Sequence, residues 1–265
     1  MGAAGAGPVP VPALVFGQPG AGAELAAAQL ETAGFAAEAW DGTTPHPLAE
    51  DPDRLGRWPL LLSLEAGPIA CAVRPGPPWR EGPGPADCEA AVALWELSRQ
   101  RQRQVRLRAR LVMDTSHLTP ERLRSRLSQL PLVGLLRRGA TPVVVVESFA
   151  FPIGLPLDHS WCLDARALQN PYWEPSLRAR SGLDRLVQQF VLDQPLAQQL
   201  LAGVESMVLA QVPAWVASQR LVIRLAIGCT GGFHRSVAMA EELHRRLEGQ
   251  GLQSLVWHRD LDDGA

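Results

Sequence analysis

The sequence predicts an α/β protein in two parts, built on mostly parallel sheet. Three observations carry this. Val143–Val146 and Leu221–Ile227 are unbroken aliphatic runs of the kind found in strands buried on both faces. Such runs alternate with helix-forming stretches, the pattern of parallel sheets with crossover helices. At two places, Gly17–Gly22 and Gly228–His234, an apolar run passes into a glycine-rich turn and then into a helix.

Pro12–Phe16 is the first strand expected, after a flexible Ala/Gly/Pro start, and Glu24–Ala33 is the first helix. Trp58–Leu64 reads as the next strand. The stretch Gly67–Pro85 is dense in Pro and Gly and reads as an exposed loop. Cys88 to about Arg110 is expected to be helical, and Leu111–Asp114 to be a short strand. Thr119 then caps a helix that opens on Pro120 and runs to about Leu130. Gly134–Pro142 reads as a hinge between domains at 1–140 and 141–265. In the second half, Val143–Val146 is a buried strand ending near Glu147–Phe149. A polar, Pro-rich region follows, then helix from Leu183 to about Trp215 with a break at Pro195. Leu221–Ile227 is the next strand, Arg235–Glu248 an amphipathic helix, and Leu252–Trp257 a closing strand.

Composition narrows the chemistry. With 46% hydrophobic residues in a 265-residue chain, a full core is expected. The 25 basic residues against 27 acidic ones exclude a globally basic nucleic-acid binder. All 25 are arginine, so chemistry that needs a lysine (the phosphate-loop lysine, Schiff bases) is excluded. The 4 cysteines, Cys71, Cys88, Cys162 and Cys229, form no C-x-x-C pair, which points away from a zinc site or disulfide framework and toward a reducing cytoplasm. No metal site is expected. Met1–Pro12 has no positive residue and is a poor signal peptide. No apolar run approaches the roughly 18 residues of a membrane span.

The strongest chemical signal is Ile227–Ser236, sequence IGCTGGFHRS. Gly231 and Gly232 let successive N–H groups point into one concavity, and the helix start adds unsatisfied N–H groups with partial positive charge. Arg235 is suited to grip phosphate oxygens, with Thr230 and Ser236 as hydroxyl donors and His234 beside them. A tight turn serving only packing is the alternative. Cys229 and Arg235 also fit C-x5-R, a spacing that wraps phosphate around a thiolate, so a Cys229-dependent phosphatase is a second reading. It needs a general acid, for which Asp158, Asp164 and Asp260 are candidates.

Glu147-Ser-Phe149, Asp164-Ala-Arg166, Asn170-Pro-Tyr-Trp173, Gly182-Leu-Asp184, the Ile227–Ser236 loop and His258-Arg259-Asp260 stand in the order and approximate spacing of the RapZ family. These are the RNase adapter proteins, also called YvcJ-type P-loop nucleotide-binding proteins. The resemblance is dense from about Val143 to Asp260. It is looser upstream, where Gly17–Gly22 and Leu111–Ser116 resemble the family's phosphate loop and V-I-D-T-S segment. It implies a P-loop NTPase-like amino-terminal domain and an α/β carboxy-terminal domain that binds glucosamine 6-phosphate and small regulatory RNA. In the best-known members that RNA is presented to an endoribonuclease, under control of amino-sugar supply. It also implies a homo-oligomer. Carried over by position, Cys229, Thr230, Gly231, Gly232, His234, Arg235 and Ser236 match the phosphosugar pocket. Asp164, Arg166 and Asn170 match polar residues nearby, and Tyr172 stands where some members have His.

The departures lie in the first half. The family pattern G-x-x-G-x-G-K-S becomes Gly17, Gly20 and Gly22 followed by Ala23 and Glu24, so the lysine is gone and a carboxylate replaces the Mg²⁺-binding hydroxyl. The segment matching the second nucleotide contact, Glu65–Pro68, keeps an acid and loses the Arg. The domain therefore reads as a degenerate P-loop domain in which ATP or GTP hydrolysis is not expected, with residual nucleotide binding or NTPase activity as the alternative. For RNA, Arg99, Arg103, Arg106 and Arg110 would share one helix face, and His258 and Arg259 follow the last strand. A solvated, charge-balanced face is the plainer reading of the arginine run, and the end Asp260–Ala265 is acidic. Trp161 and Trp173 read as core or interface aromatics.

Overall fold

The computed structural model describes residues 10–47, 51, 58–67, 70 and 88–261. The expected Pro/Gly loop lies almost wholly outside these residues, as do Cys71, the start of the chain before Pro10, and Asp262 onward. The chain divides into two compact units, Met1–Leu132 and Val133–Ala265.

The first unit holds β1 (Val11–Gly17), α1 (Ala23–Thr32), β2 (Phe35–Trp40), β3 (Leu60–Glu65), α2 (Cys88–Arg106), β4 (Leu111–Asp114) and α3 (Pro120–Gln129). Its four strands pair in parallel in the order β2-β1-β3-β4. Every residue of β3 is buried. β2 is a strand that the pattern does not announce. Its Phe-Ala-Ala-Glu-Ala-Trp sequence has weak strand propensity, and parallel pairing with β1 imposes the conformation. α2 ends earlier than expected, at Arg106, because the Arg110 N–H donates to the Leu61 carbonyl (3.0 Å) and draws the chain toward β4. The Thr119 cap is present, its hydroxyl accepting from the Arg122 N–H at 3.2 Å.

The second unit holds β5 (Val143–Ala150), β6 (Trp161–Asp164), α4 (Arg185–Leu192), α5 (Pro195–Ala217), β7 (Val222–Cys229), α6 (Arg235–Gly249) and β8 (Ser254–His258). All strands are parallel, in the order β6-β7-β5-β8. The run at Val143 extends to Ala150, buried throughout. β6 escapes the sequence pattern because it is a short edge strand, half exposed and preceded by Pro and His. The expected break at Pro195 is present: α4 ends at Leu192, and Pro195 opens α5, its fixed φ and missing N–H suiting the first turn. α5 is also long and apolar enough to pass for a membrane span, against expectation. One stripe of it, Ala197, Leu201, Val204, Val208 and Trp215, packs into the core with Leu243 and Leu247 of α6. Each such fully buried aliphatic side chain contributes on the order of 1.5–3 kcal/mol.

The chain leaves β7 through α6 and passes β5 to reach β8 on its far side, so the strand order reverses around β5. Open parallel sheets bind ligands at the carboxyl ends of strands beside such a switch. The register brings Ala150 of β5 opposite Cys229 of β7, and Asp164 of β6 opposite Gly228.

Candidate functional site

The loop between β7 and α6 is shaped by its neighbours as much as by its glycines. Gly232 has φ +64°, and a Cβ there would lie 3.1 Å from Ala150 Cβ, Ala150 N and Asp260 Cβ. Gly228 passes under two aromatic rings, where a Cβ would meet Phe149 and Phe151 at 2.5 and 2.6 Å. On the other side, Gly182 donates its N–H to the Phe233 carbonyl (2.8 Å). A Cβ on Gly182 would stand 2.3 Å from the His234 carbonyl oxygen and 2.6 Å from Ala238 N. Gly182 carries no chemistry, and the sequence alone gives it no role. The structure makes it the packing surface for the start of α6.

Within this frame the polar groups converge. Cys229 is buried, with its Sγ 3.1 Å from Ser236 Oγ. Burial pushes the thiol's pKa up, but the Ser236 hydroxyl and the N–H groups of Ser236, Gly232 and Gly231 outweigh it and hold the pKa below the ordinary thiol value. Groups that stabilise a thiolate also stabilise other anions. The helix start is open, since His234 at the N-cap makes no side-chain capping bond. Thr230 and Gly231 form the exposed rim.

Arg235 is 6% exposed and faces two ways. Its Nη1 donates to the carbonyls of Arg166 and Leu168, both at 3.0 Å, tying the turn after β6 to the loop. Its Nη2 donates to Thr230 Oγ1 (3.2 Å), while Nε is buried with no hydrogen-bond partner. The Nη1 side is therefore structural, and on the opposite edge Nε is the donor left unpaired. A buried unpaired N–H costs about 1–3 kcal/mol, which a bound anion would recover.

The remaining predicted residues fall around this centre. Asp164 accepts the Arg166 N–H as cap of the turn Ala165–Ala167, and the Arg166 guanidinium chelates it at 2.6–3.0 Å. The Arg166 hydrogen bond, with smaller help from Arg235, holds the Asp164 carboxyl below its usual range. Arg166 also lies over the Phe151 ring at 3.9 Å. Asn170 Oδ1 caps the turn Pro171–Trp173 by accepting the Tyr172 N–H at 3.3 Å. Tyr172 is exposed and stacks edge-on against Trp173, with Arg178 over its ring at 4.9 Å. Trp173 is 72% exposed, which overturns the core reading for it. Trp161 does pack as a core-flanking aromatic, 5.6 Å from Trp215. The ring of His234 donates from Nε2 to the Arg178 carbonyl (3.1 Å), and burial lowers its pKa, keeping it neutral.

His258 and Arg259 are not a free basic surface. His258 bridges Ser148 Oγ (2.8 Å) and Glu241 Oε1 (2.9 Å), and that hydrogen bond keeps the Glu241 pKa low. Arg259 is 4% exposed and bridges both oxygens of Asp260 at 2.9 Å. Asp260 in turn accepts the Ala150 N–H at 2.6 Å, pinning the end of β5 under Gly232. Of the acid candidates, Asp158 is fully buried with Oδ2 3.0 Å from Arg224 Nε, and Arg224 Nη1 also meets Glu147 Oε2 at 3.2 Å. None of the three carboxyls is an available proton donor.

In the first unit the glycine loop keeps its shape. Gly20 and Gly22 take φ +81° and +93°. The Gln102 side chain donates to the Gly17 carbonyl (2.7 Å), and the Thr115 hydroxyl donates to the Ala21 carbonyl (3.0 Å). Ala23 is buried and Glu24 is exposed in the first turn of α1, so the one charge there is negative. Glu65 is buried against Ser63 Oγ (2.8 Å) and Arg106 Nε (2.5 Å). Arg99, Arg103 and Arg106 line a cleft of about 400 Å³ with Trp95. Arg110 does not join them. It lies beyond the end of α2 and donates to the Pro59 carbonyl (2.8 Å), and burial lowers its pKa. Among the described residues no cluster of His, Cys, Asp or Glu could hold a metal ion.

A family model described as the RapZ C-terminal domain matches residues 142–262. A protein of Corynebacterium jeikeium named a nucleotide-binding protein is 39% identical over 207 residues, covering 78% of this chain and 70% of that protein. Proteins of the same name from Moorella thermoacetica and Pseudomonas putida are 37% and 40% identical over 163 and 153 residues. The match spans 53% of the length of each of these two, about half.

Proposed function

The chain belongs to the RapZ family, and on that premise we propose that its second unit is a regulatory sensor that holds a phosphorylated amino sugar in the Cys229–Ser236 loop. The observation that carries this is Arg235. It is buried, locked by Nη1 to two carbonyls, and has an unpartnered Nε, while the N–H groups of Gly231, Gly232 and Ser236 converge on the Cys229 thiol six residues before it. A phosphate fits this set of donors: it accepts several charge-assisted hydrogen bonds where a neutral ligand would leave an N–H unpaired. Asp164 and Arg166, tied to the loop through Gly228 and Arg235, together with Asn170 and Tyr172 are the groups we assign to the sugar, glucosamine 6-phosphate being the ligand of choice. As a cytoplasmic adaptor, the loaded or empty module would be read by a partner such as a small RNA or an endoribonuclease, in a homo-oligomer.

Nucleotide binding, the property in the relatives' names, is the second reading for the first unit. The persisting glycine loop favours it, and the absence of a cation at Ala23 together with the carboxylate of Glu24 opposes it. Calorimetry with glucosamine 6-phosphate, inorganic phosphate, ATP and GTP separates the two. Saturable binding of the sugar phosphate, lost in Arg235→Ala, is expected. Stabilisation by ATP or GTP with Mg²⁺ alone would replace the sensor reading with the nucleotide one.

A further inference from the structure

The second unit holds a nucleophile without an acid. Cys229 Sγ is met by the Ser236 hydroxyl and by the N–H groups of Ser236, Gly232 and Gly231, and Arg235, which opens the same helix, keeps a buried Nε without a partner. Among the described residues around it, every candidate proton donor is committed. Asp164 is chelated by Arg166. Asp260 is held by the Ala150 N–H and Arg259, Asp158 by Arg224. His234 is neutral and donates its Nε2 proton to the Arg178 carbonyl. An alkoxide leaves phosphorus only when an acid protonates it, whereas a carboxylate leaves as the anion it already is at neutral pH. The site therefore sorts phosphate compounds by leaving group.

We propose that Cys229 accepts a phosphoryl group from acyl phosphates, the mixed anhydrides of a carboxylic acid and phosphoric acid, while alkyl phosphates such as sugar phosphates are held intact. The thiolate lone pair forms the S–P bond in line with the departing oxygen. The P–O bond to the acyl group breaks, and its electron pair leaves on the carboxylate. No proton is transferred in this step, so no acid is needed. The S-phosphocysteine formed keeps its oxygens among the N–H groups of Gly231, Gly232 and Ser236 and the Nε of Arg235. Acyl phosphate and sugar phosphate compete for one cradle, so sugar-phosphate occupancy protects the thiol. This rests on the phosphate reading of the loop given above.

The test is incubation of the full chain with acetyl phosphate, followed by intact-mass measurement and peptide mapping. One phosphoryl group per chain is expected, mapped to Cys229, absent after glucosamine 6-phosphate alone and suppressed when that compound is added in excess. It disappears in Cys229→Ser and persists in Cys162→Ser, Cys162 being the exposed cysteine of β6. No adduct on the wild-type chain, or an adduct mapped elsewhere, overturns the proposal; the mapping decides even if Cys229→Ser fails to fold. Parallel calorimetry with inorganic phosphate separates the two levels. Binding without an adduct removes only the chemistry, and loss of both removes the site.

Discussion

The two glycine loops of this chain make a controlled comparison. Each follows a buried parallel strand, each opens a helix, and each helix start lacks a side-chain cap. The two share this plan although their backbones turn differently, left-handed at Gly22 and not at His234, and the chemical difference lies in the first helical turn: Ala23 and Glu24 in one, Arg235 and Ser236 in the other. The first loop ends in a methyl group and an exposed carboxylate. The second ends in a buried guanidinium and a hydroxyl bonded to a thiol. A loop that presents N–H groups is a scaffold, and two side chains decide whether an anion gains by entering it. The supports differ as well. Behind the first loop, Glu65 pairs with the half-exposed Arg106, whereas in the second unit Arg224 is buried between Glu147 and Asp158.

The largest effect should come from that support. Arg224→Met leaves two buried carboxylates without their cation and is expected to cost about 3–5 kcal/mol. Arg106→Met leaves one buried carboxylate, Glu65, which keeps the Ser63 hydroxyl and a guanidinium site open to solvent, and should cost less, about 1–3 kcal/mol. Chemical denaturation of both variants measures the contrast, and equal losses would show that the two ion pairs carry similar weight. Gly182→Ala comes next, because its Cβ would press on backbone atoms at the start of α6. A loss of about 1–3 kcal/mol is expected, with weakened phosphate binding, read by thermal unfolding and calorimetry.

Arg235→Ala should weaken glucosamine 6-phosphate binding by about 30-fold or more, equivalent to about 2 kcal/mol, since a buried charged partner is removed. The reciprocal change in the first loop, Ala23→Lys with Glu24→Ser, should give greater Mg-ATP stabilisation than the wild-type loop. If it does not, the first loop has lost more than its cation. The smallest effect is in pH dependence. Because the Cys229 pKa is depressed in the folded chain, the stability it contributes is present above the unfolded value of about 8.5 and is lost as pH falls through the folded pKa. Iodoacetamide labelling followed by mass spectrometry should give Cys229 a lower pH midpoint than Cys162, whose pKa burial and the nearby Asp164 raise. The reverse order would contradict the thiolate cradle.

Much of this arrangement is legible along the chain. The aliphatic runs at Val143 and Leu221 mark strands because a doubly covered strand has no polar face to conceal it. The Cys229–Ser236 loop is legible because its glycines, hydroxyls and arginine are contiguous, so one segment carries the chemistry. β2 and β6 are not legible. A short edge strand is held by pairing with its neighbour, and neither Phe35–Trp40 nor Trp161–Asp164 carries a two-residue alternation strong enough to announce itself. The arginine run shows the converse error. Ideal helical spacing puts Arg110 beside Arg106, but a hydrogen bond to Leu61 ends the helix first.

By itself, the order of residues determined which atoms are available: no lysine anywhere, a thiol and a guanidinium separated by one turn of loop, a carboxylate where the first loop would need a cation. These are properties of composition and local spacing, and no folding alters them. Only the tertiary structure decided which of those groups remain unspent. Arg259 and Asp260 are paired with each other, Asp164 is closed by Arg166, and His258 is bridged between Ser148 and Glu241. Arg235 alone keeps a buried N–H without a partner in the loop. Hydrogen bonding in a desolvated interior is exclusive, and partners up to 110 positions apart cannot be read from neighbours in the chain.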